Sequence, residues 1–215
     1  MRLKIKLLKL QGLLQKTVVT TVAVGTLVWI PQFSNAQIFA PPVMNPFELI
    51  SAGTISVPEF VDLDGDGDLD LISGDFSGFL FFKNIGSVEG PAFDTLQLNP
   101  FGLTATDFYN RPAFADLDAD GDPDLITLGY DGDDFTFEYF ENTGTHTDPV
   151  FSTSVTNPFG FQGLYTQYFP SFADLDGDGD LDIMAGAYYG AFLYFQNIGT
   201  ASAPAFASPR PNPFG

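Results

Sequence analysis

Fifteen aspartates are gathered into three short stretches, and their spacing is what could do chemistry. Asp62, Asp64, Asp66, Asp68 and Asp70 fall within nine residues; the spacing returns at Asp116, Asp118, Asp120, Asp122 and Asp124, and again at Asp174, Asp176, Asp178, Asp180 and Asp182. Each stretch contains Asp-x-Asp-x-Asp-Gly-x-x-Asp. Two carboxylates about 4 Å apart repel by roughly 1 kcal/mol in water and about 4 kcal/mol at an effective dielectric near 20. So dense a run therefore calls for a cation. Asp and Gly also form turns, but a turn needs one or two such residues rather than five acids in register.

The chemistry this implies is capture of a hard divalent ion by oxygen. Ca²⁺ takes about six to eight oxygens at roughly 2.3–2.6 Å, and a short loop can wrap it with alternate side chains. In the first stretch Asp62, Asp64 and Asp66 would supply carboxylates at positions 1, 3 and 5, and Gly67 the sharp turn at position 6. The backbone carbonyl of Asp68 would ligate at position 7, and Asp70 would close the shell at position 9. The second and third stretches repeat these roles, giving about three Ca²⁺ sites. Magnesium fits less well because it demands near-octahedral geometry and keeps several waters. These are not EF-hands: position 12 is Ser73, Thr127 or Ala185 instead of Glu, and a short apolar run follows instead of an amphipathic helix.

The chain begins with a basic segment, residues 1–16, and an apolar run of fourteen, residues 17–30. That run is short for a bilayer span of about 20 residues but suits the core of a secretory signal. Ser34 and Ala36 give a small-x-small pattern before Gln37, so residues 1–36 are expected to be a cleaved signal peptide and the remainder secreted or held at the cell surface. An uncleaved membrane anchor is the alternative. With no Cys after the apolar run, a lipid anchor is excluded, and so are disulfides. Beyond residue 36 the chain carries 27 acids against three bases, a net of −24. That charge excludes nucleic acid and anionic membrane surfaces as partners.

The elements that must position the loops repeat with them. Asn-Pro-Phe recurs at Asn45, Asn99, Asn157 and Asn212, with periods of 54, 58 and 55, and the first loop aspartate always follows 17 residues later. This divides the chain into a partial strand at 37–44, repeats at 45–98, 99–156 and 157–211, and the start of a fourth at 212–215. The aromatic runs 79–84, 137–142 and 192–197 read as strands ended by Asn-x-Gly turns. Each pairs with the apolar run before it, at Leu71, Leu125 or Ile183, as a hairpin. A strand entering each loop at Phe60, Phe114 or Phe172, and another around Phe93, Phe151 or Phe206, make four per repeat, the size of a propeller blade. The fold class expected is all-β, an array of three four-stranded blades.

The segment FADLDGDGDLDIMAGAYYGAFLYFQNIGTASAPAF, beginning at Phe172, resembles the FG-GAP/VCBS repeats, which are related to the calcium-bearing blades of the integrin alpha-chain head. The resemblance covers residues 37–215. It implies a β-propeller, calcium in the loops linking strands of a blade, and extracellular adhesion or recognition. The second repeat departs from the pattern: Ala119 stands at position 4, Pro123 precedes the last acid, and Gly129–Asp134 lengthen the hairpin.

Propellers usually have four to eight blades, whereas three repeats are present and both ends carry the same Asn-Pro-Phe element. An incomplete or open arc is expected, one that pairs with further repeats or another chain. No constellation for catalysis is visible. The single His146 lies in a loop, and Asp131, Asp133 and Asp134 read as a solvated hairpin tip. Two functions follow: a calcium-binding adhesion or recognition module for an extracellular protein or glycan, or a carbohydrate-binding accessory module of an exported enzyme. For the second, Tyr130, Tyr188 and Tyr189 would stack on sugars. A propeller enzyme whose catalytic portion lies elsewhere is a third.

Overall fold

The computed structural model describes residues 21–23, 26–28, 41–50, 55–106, 110–130, 132–162 and 166–213. The chain divides into two units, Met1–Met44 and Asn45–Gly215. In the first, β1 (Thr21–Ala23) and β2 (Thr26–Val28) pair antiparallel, with Thr21 opposite Val28. Ser34, Ala36 and the expected cleavage point lie outside the described residues. Among the described residues no helix is long and apolar enough to cross a membrane.

The second unit is three successive antiparallel meanders of four strands, in the order in which they leave the chain. Blade 1 is β3 (Val57–Val61), β4 (Asp70–Asp75), β5 (Gly78–Phe82) and β6 (Gln97–Leu98). Blade 2 is β7 (Ala113–Ala115), β8 (Asp124–Tyr130), β9 (Phe135–Phe140) and β10 (Val155–Thr156). Blade 3 is β11 (Tyr168–Ala173), β12 (Asp182–Ala187), β13 (Phe192–Phe195) and β14 (Arg210–Pro211). The aspartate loops join first to second strand, and tight hairpins join second to third. Loops and hairpin tips therefore lie at opposite ends of each sheet.

The expected fourth strand is displaced. Phe93, Phe151 and Phe206 form only isolated bridges, to Asn84, Asn142 and Asn197, and the true edge strand comes four residues later. The cause is the Asn itself. Asn142 Oδ1 accepts from the amides of Gly144 (3.1 Å) and Val150 (2.9 Å), which folds the connection back on itself, and Asn84 and Asn197 do the same.

Stacking of the blades explains why the inner strands read as continuous apolar runs. β4 and β5 are buried along their full length because both faces are covered, one by blade 2 and the other, at Leu71, Leu80 and Phe82, by Leu49, Phe93 and Leu96. One core cluster fills the seam between blades 1 and 2 around Phe79, Phe81 and Phe140, and another fills the seam between blades 2 and 3 around Phe137, Phe161 and Phe195. The rings meet edge to face: Phe79 and Phe140 lie 6.0 Å apart, and Phe137 and Phe161 4.8 Å. Each fully buried Phe contributes about 1.5–3 kcal/mol, and such ring pairs about 0.5–1.5 kcal/mol more. The arc stays open. Phe192 is 58% exposed, whereas its counterparts Phe79 and Phe137 are fully buried by the following blade.

The Asn-Pro-Phe element staples each blade to the next. Asn99 adopts the left-handed conformation (φ 49°), which Asn tolerates better than most residues. Its amide donates to Phe79 O (2.7 Å) while its Oδ1 accepts from Phe79 N (2.8 Å). Asn157 holds Phe137, and Asn212 holds Phe192, in the same way. In all three cases the Asn stands 20 residues beyond its Phe. The aromatic at the third position is left-handed too (Phe101 φ 58°), a strained conformation offset by packing such as that of Phe101 on Phe81, 5.1 Å between centroids.

All of the variation in period falls in one place. From the last loop aspartate to the stapled Phe the interval is 9, 13 and 10 residues in the three repeats, while the other intervals are constant. Asn142→Ala removes the partner of two amides in a site that is 1% exposed. Urea denaturation is expected to show a loss of about 1–3 kcal/mol for each amide left unpaired.

Candidate metal centre

The loops coil because their aspartates accept hydrogen bonds from the backbone ahead of them. In loop 2, Asp116 Oδ2 accepts from Gly121 N (3.1 Å), Asp118 Oδ1 from Asp120 N (3.2 Å), and Asp120 Oδ1 from Asp122 N (3.1 Å). Loop 1 repeats the set through Asp62, Asp64 and Asp66. In loop 3, Asp174 and Asp178 do likewise. The glycine at position 6 has φ between 90° and 98° in every copy, a conformation that side chains rarely adopt. Ala119 keeps φ at 63°, so the Gly-to-Ala change at position 4 leaves the coil intact and costs local strain of about 1–2 kcal/mol.

This coiling brings positions 1, 3 and 5 together. Asp62, Asp64 and Asp66 each offer one carboxylate oxygen within 4.8 Å of the others, as do Asp116, Asp118 and Asp120, and Asp174, Asp176 and Asp178. Position 7 adds what sequence reasoning did not foresee. Asp122 and Asp180 are only 6% and 8% exposed, yet their Oδ1 atoms have no hydrogen-bond partner among the described residues; nor does the buried Oδ1 of Asp62. An orphaned, buried carboxylate oxygen carries a desolvation penalty that a cation would relieve. An all-oxygen donor set of this kind fits a hard ion such as Ca²⁺.

Position 9 shows a second task. Asp124 Oδ2 accepts from Leu117 N (3.1 Å) and from the phenol of Tyr139 (3.0 Å), and its Oδ1 accepts from Asn142 N (2.8 Å). Asp182 holds Leu175, Tyr194 and Asn197 equivalently, and Asp70 holds Leu63 and Asn84. The carboxylate thus ties the start of the loop to the end of the third strand. Oδ2 of Asp124 and of Asp182 spends both lone pairs on its two donors, while Oδ1 of each, and both oxygens of Asp70, keep one for a further contact, so this task is compatible with the ligand role that spacing gives Asp70, Asp124 and Asp182. Tyr139 and Tyr194 went unnoticed in the sequence because repeat 1 has Phe81 at that position.

At one more recurrent position, two of the three side chains reach a loop. Lys83, Glu141 and Gln196 each follow the last aromatic of the third strand and precede the Asn of the turn. Lys83 Nζ pairs with Asp64 Oδ2, and Gln196 Nε2 donates to Asp176 Oδ2 (2.7 Å). His146 is half exposed, 3.8 Å from Asp62 Oδ2. Asp133 and Asp134 are exposed at a hairpin tip, and Asp131 lies outside the described residues.

Burial makes Asp70, Asp122 and Asp124 hard to ionise without a counter-charge. It raises Asp124 to about 7 and Asp70 to about 6 against the pull of their amide donors, and it raises Asp122 to about 6 with help from Asp120. Burial also pushes the Tyr194 phenol up to about 12, reinforced by Asp182. A carboxyl whose folded value is raised binds more protons folded than unfolded between about pH 4 and 7. Stability in that window therefore rises as pH falls. In chelator, the thermal midpoint is expected to increase from pH 7.5 to pH 5. In millimolar Ca²⁺ that trend is expected to flatten or reverse, since only ionised carboxylates hold the ion.

Comparison with known proteins agrees with this geometry. The family described as FG-GAP-like repeat matches residues 62–127 and 116–185, each match running from one aspartate loop through the next. No curated protein and no solved structure matches the chain. With loop spacing, blade topology and more than half of the sequence in accord, the chain belongs to the FG-GAP-like repeat family.

Proposed function

We propose that this chain is a secreted calcium-binding repeat module for adhesion or recognition at the cell surface, with Ca²⁺ stabilising the blades. The observation that carries this reading is the convergence of three carboxylate triplets with buried, orphaned oxygens beside two of them, at positions 7. FG-GAP-like repeats are typical of adhesion-type, extracellular and non-catalytic proteins. The charge of the chain beyond residue 36 suits an extracellular partner of protein or glycan and disfavours nucleic acid. The seam faces left open at the ends of the arc, Phe60 at 57% exposure and Phe192 at 58%, suit pairing with further blades.

The hairpin tips are where recognition would reside, because length and sequence vary there on a constant frame. Tyr188 and Tyr189, 67% and 84% exposed with ring centroids 5.3 Å apart, favour the carbohydrate-binding reading as the second possibility. Saccharide binding on a glycan array that disappears in Tyr188→Ala and Tyr189→Ala would select it. Binding to a protein ligand that survives both changes would select the first.

Calorimetric titration of the metal-free chain with Ca²⁺ is expected to show about three sites, one of which Asp176→Ala removes. Chelator is expected to lower the thermal midpoint and added Ca²⁺ to restore it. A midpoint that ignores both, with no heat of binding, would overturn the calcium reading.

A further inference from the structure

The three loops share their five acids but differ at the position that follows the last aromatic of the third strand. Lys83, Glu141 and Gln196 occupy equivalent backbone places. Their carbonyls accept from Asp94, Ser152 and Ala207 at 2.9, 2.8 and 2.9 Å, and the next residue's amide donates to the position 9 aspartate in every repeat. From that place Lys83 lays its ammonium against Asp64, and Gln196 lays its amide on Asp176. Both contacts fall on position 3, one member of the triplet that faces the candidate ion. Loop 1 thus carries its own cation, loop 3 a neutral donor whose Oε1 accepts from Arg210 (3.3 Å), and loop 2 has an acid, Glu141, at the equivalent backbone place.

We infer that this residue ranks the loops for Ca²⁺, with loop 2 tightest, loop 3 intermediate, and loop 1 weakest because the ion must displace Lys83 from Asp64. The inference rests on the calcium reading above and adds an order to it. Ligand charge count is a principal lever on the affinity of oxygen-donor calcium sites. A fixed charge a few ångströms from a divalent ion acts with twice the force it exerts on a monovalent one. The position is partly exposed, Lys83 at 42% of its side chain, so the effect is moderate and sensitive to salt. About tenfold in dissociation constant is expected for each unit of charge at low ionic strength. The ranking puts first the loop whose sequence departs from the pattern, at Ala119 and Pro123.

The test uses the full chain in three forms. Each keeps one loop intact and has Asp→Asn at positions 1 and 3 of the other two, and each is titrated calorimetrically with CaCl₂ at low salt. The form with only loop 2 intact should bind most tightly and the form with only loop 1 intact least. Lys83→Gln should tighten loop 1 about tenfold, Lys83→Glu should tighten it further, and Glu141→Lys should weaken loop 2 about a hundredfold. In 1 M NaCl, where the Debye length is about 3 Å, the spread should shrink. Equal affinities in the three forms, or an unchanged loop 1 in Lys83→Gln, would overturn the ranking while leaving the calcium reading standing. No heat from any form would overturn both.

Discussion

Repulsion among crowded carboxylates is the constraint to which the rest of this structure answers. Five acids in nine residues cannot coil unless something opposes their charge. Backbone amides do so in part, donating to positions 1, 3, 5 and 9 in loop 2. Burial then works the other way, lifting Asp124 and Asp122 towards neutrality. The two effects leave a cluster of carboxylate oxygens at which a divalent ion would satisfy charge and orphaned lone pairs together. The acid at position 9 has a further task, since it grips the end of the third strand. A change in loop charge is therefore passed directly to the sheet.

Much of this was legible in the sequence because it is periodic. The aspartate spacing marked the three triplets that the structure assembles, and the Asn-Pro-Phe recurrence marked the unit length. The aromatic runs marked the inner strands. What stayed hidden depends on which atoms meet. Nothing in the spacing distinguishes a position 7 that offers its carbonyl from one that also buries its carboxylate, as Asp122 and Asp180 do. The edge strands at Gln97–Leu98, Val155–Thr156 and Arg210–Pro211 are two residues long and polar or irregular in composition, too short to show alternation. The more hydrophobic Phe93, Phe151 and Phe206 drew the assignment instead. They are hydrophobic because they pack within the blade and its seams, as Phe206 does stacked on Phe161 at 4.8 Å.

Neighbouring repeats interlock more than their sequence boundaries suggest. The staple that opens one repeat completes the third strand of the repeat before it, and the carbonyl of Phe101 then accepts from Phe151 within its own blade. A single repeat cut out at its sequence limits would lose a hydrogen-bonding partner at one end and an aromatic cover at the other. Stability in such an array lies in nearest-neighbour seams as much as in the units themselves. The two seams here are built almost wholly from Phe, Tyr, Leu and Ile.

The rigid intervals leave the polypeptide a single elastic joint. From staple to loop, through the loop, and from stapled Phe to the following Asn, the count of residues never changes, whereas the stretch from the last loop aspartate to the stapled Phe, second strand and hairpin turn together, is 9, 13 or 10 residues long. Insertions arising anywhere else would pull an aspartate or an Asn off its mark, and natural variation would be filtered accordingly. The same joint is the place where foreign peptide could be grafted without disturbing the acidic coils at the far end of the sheet.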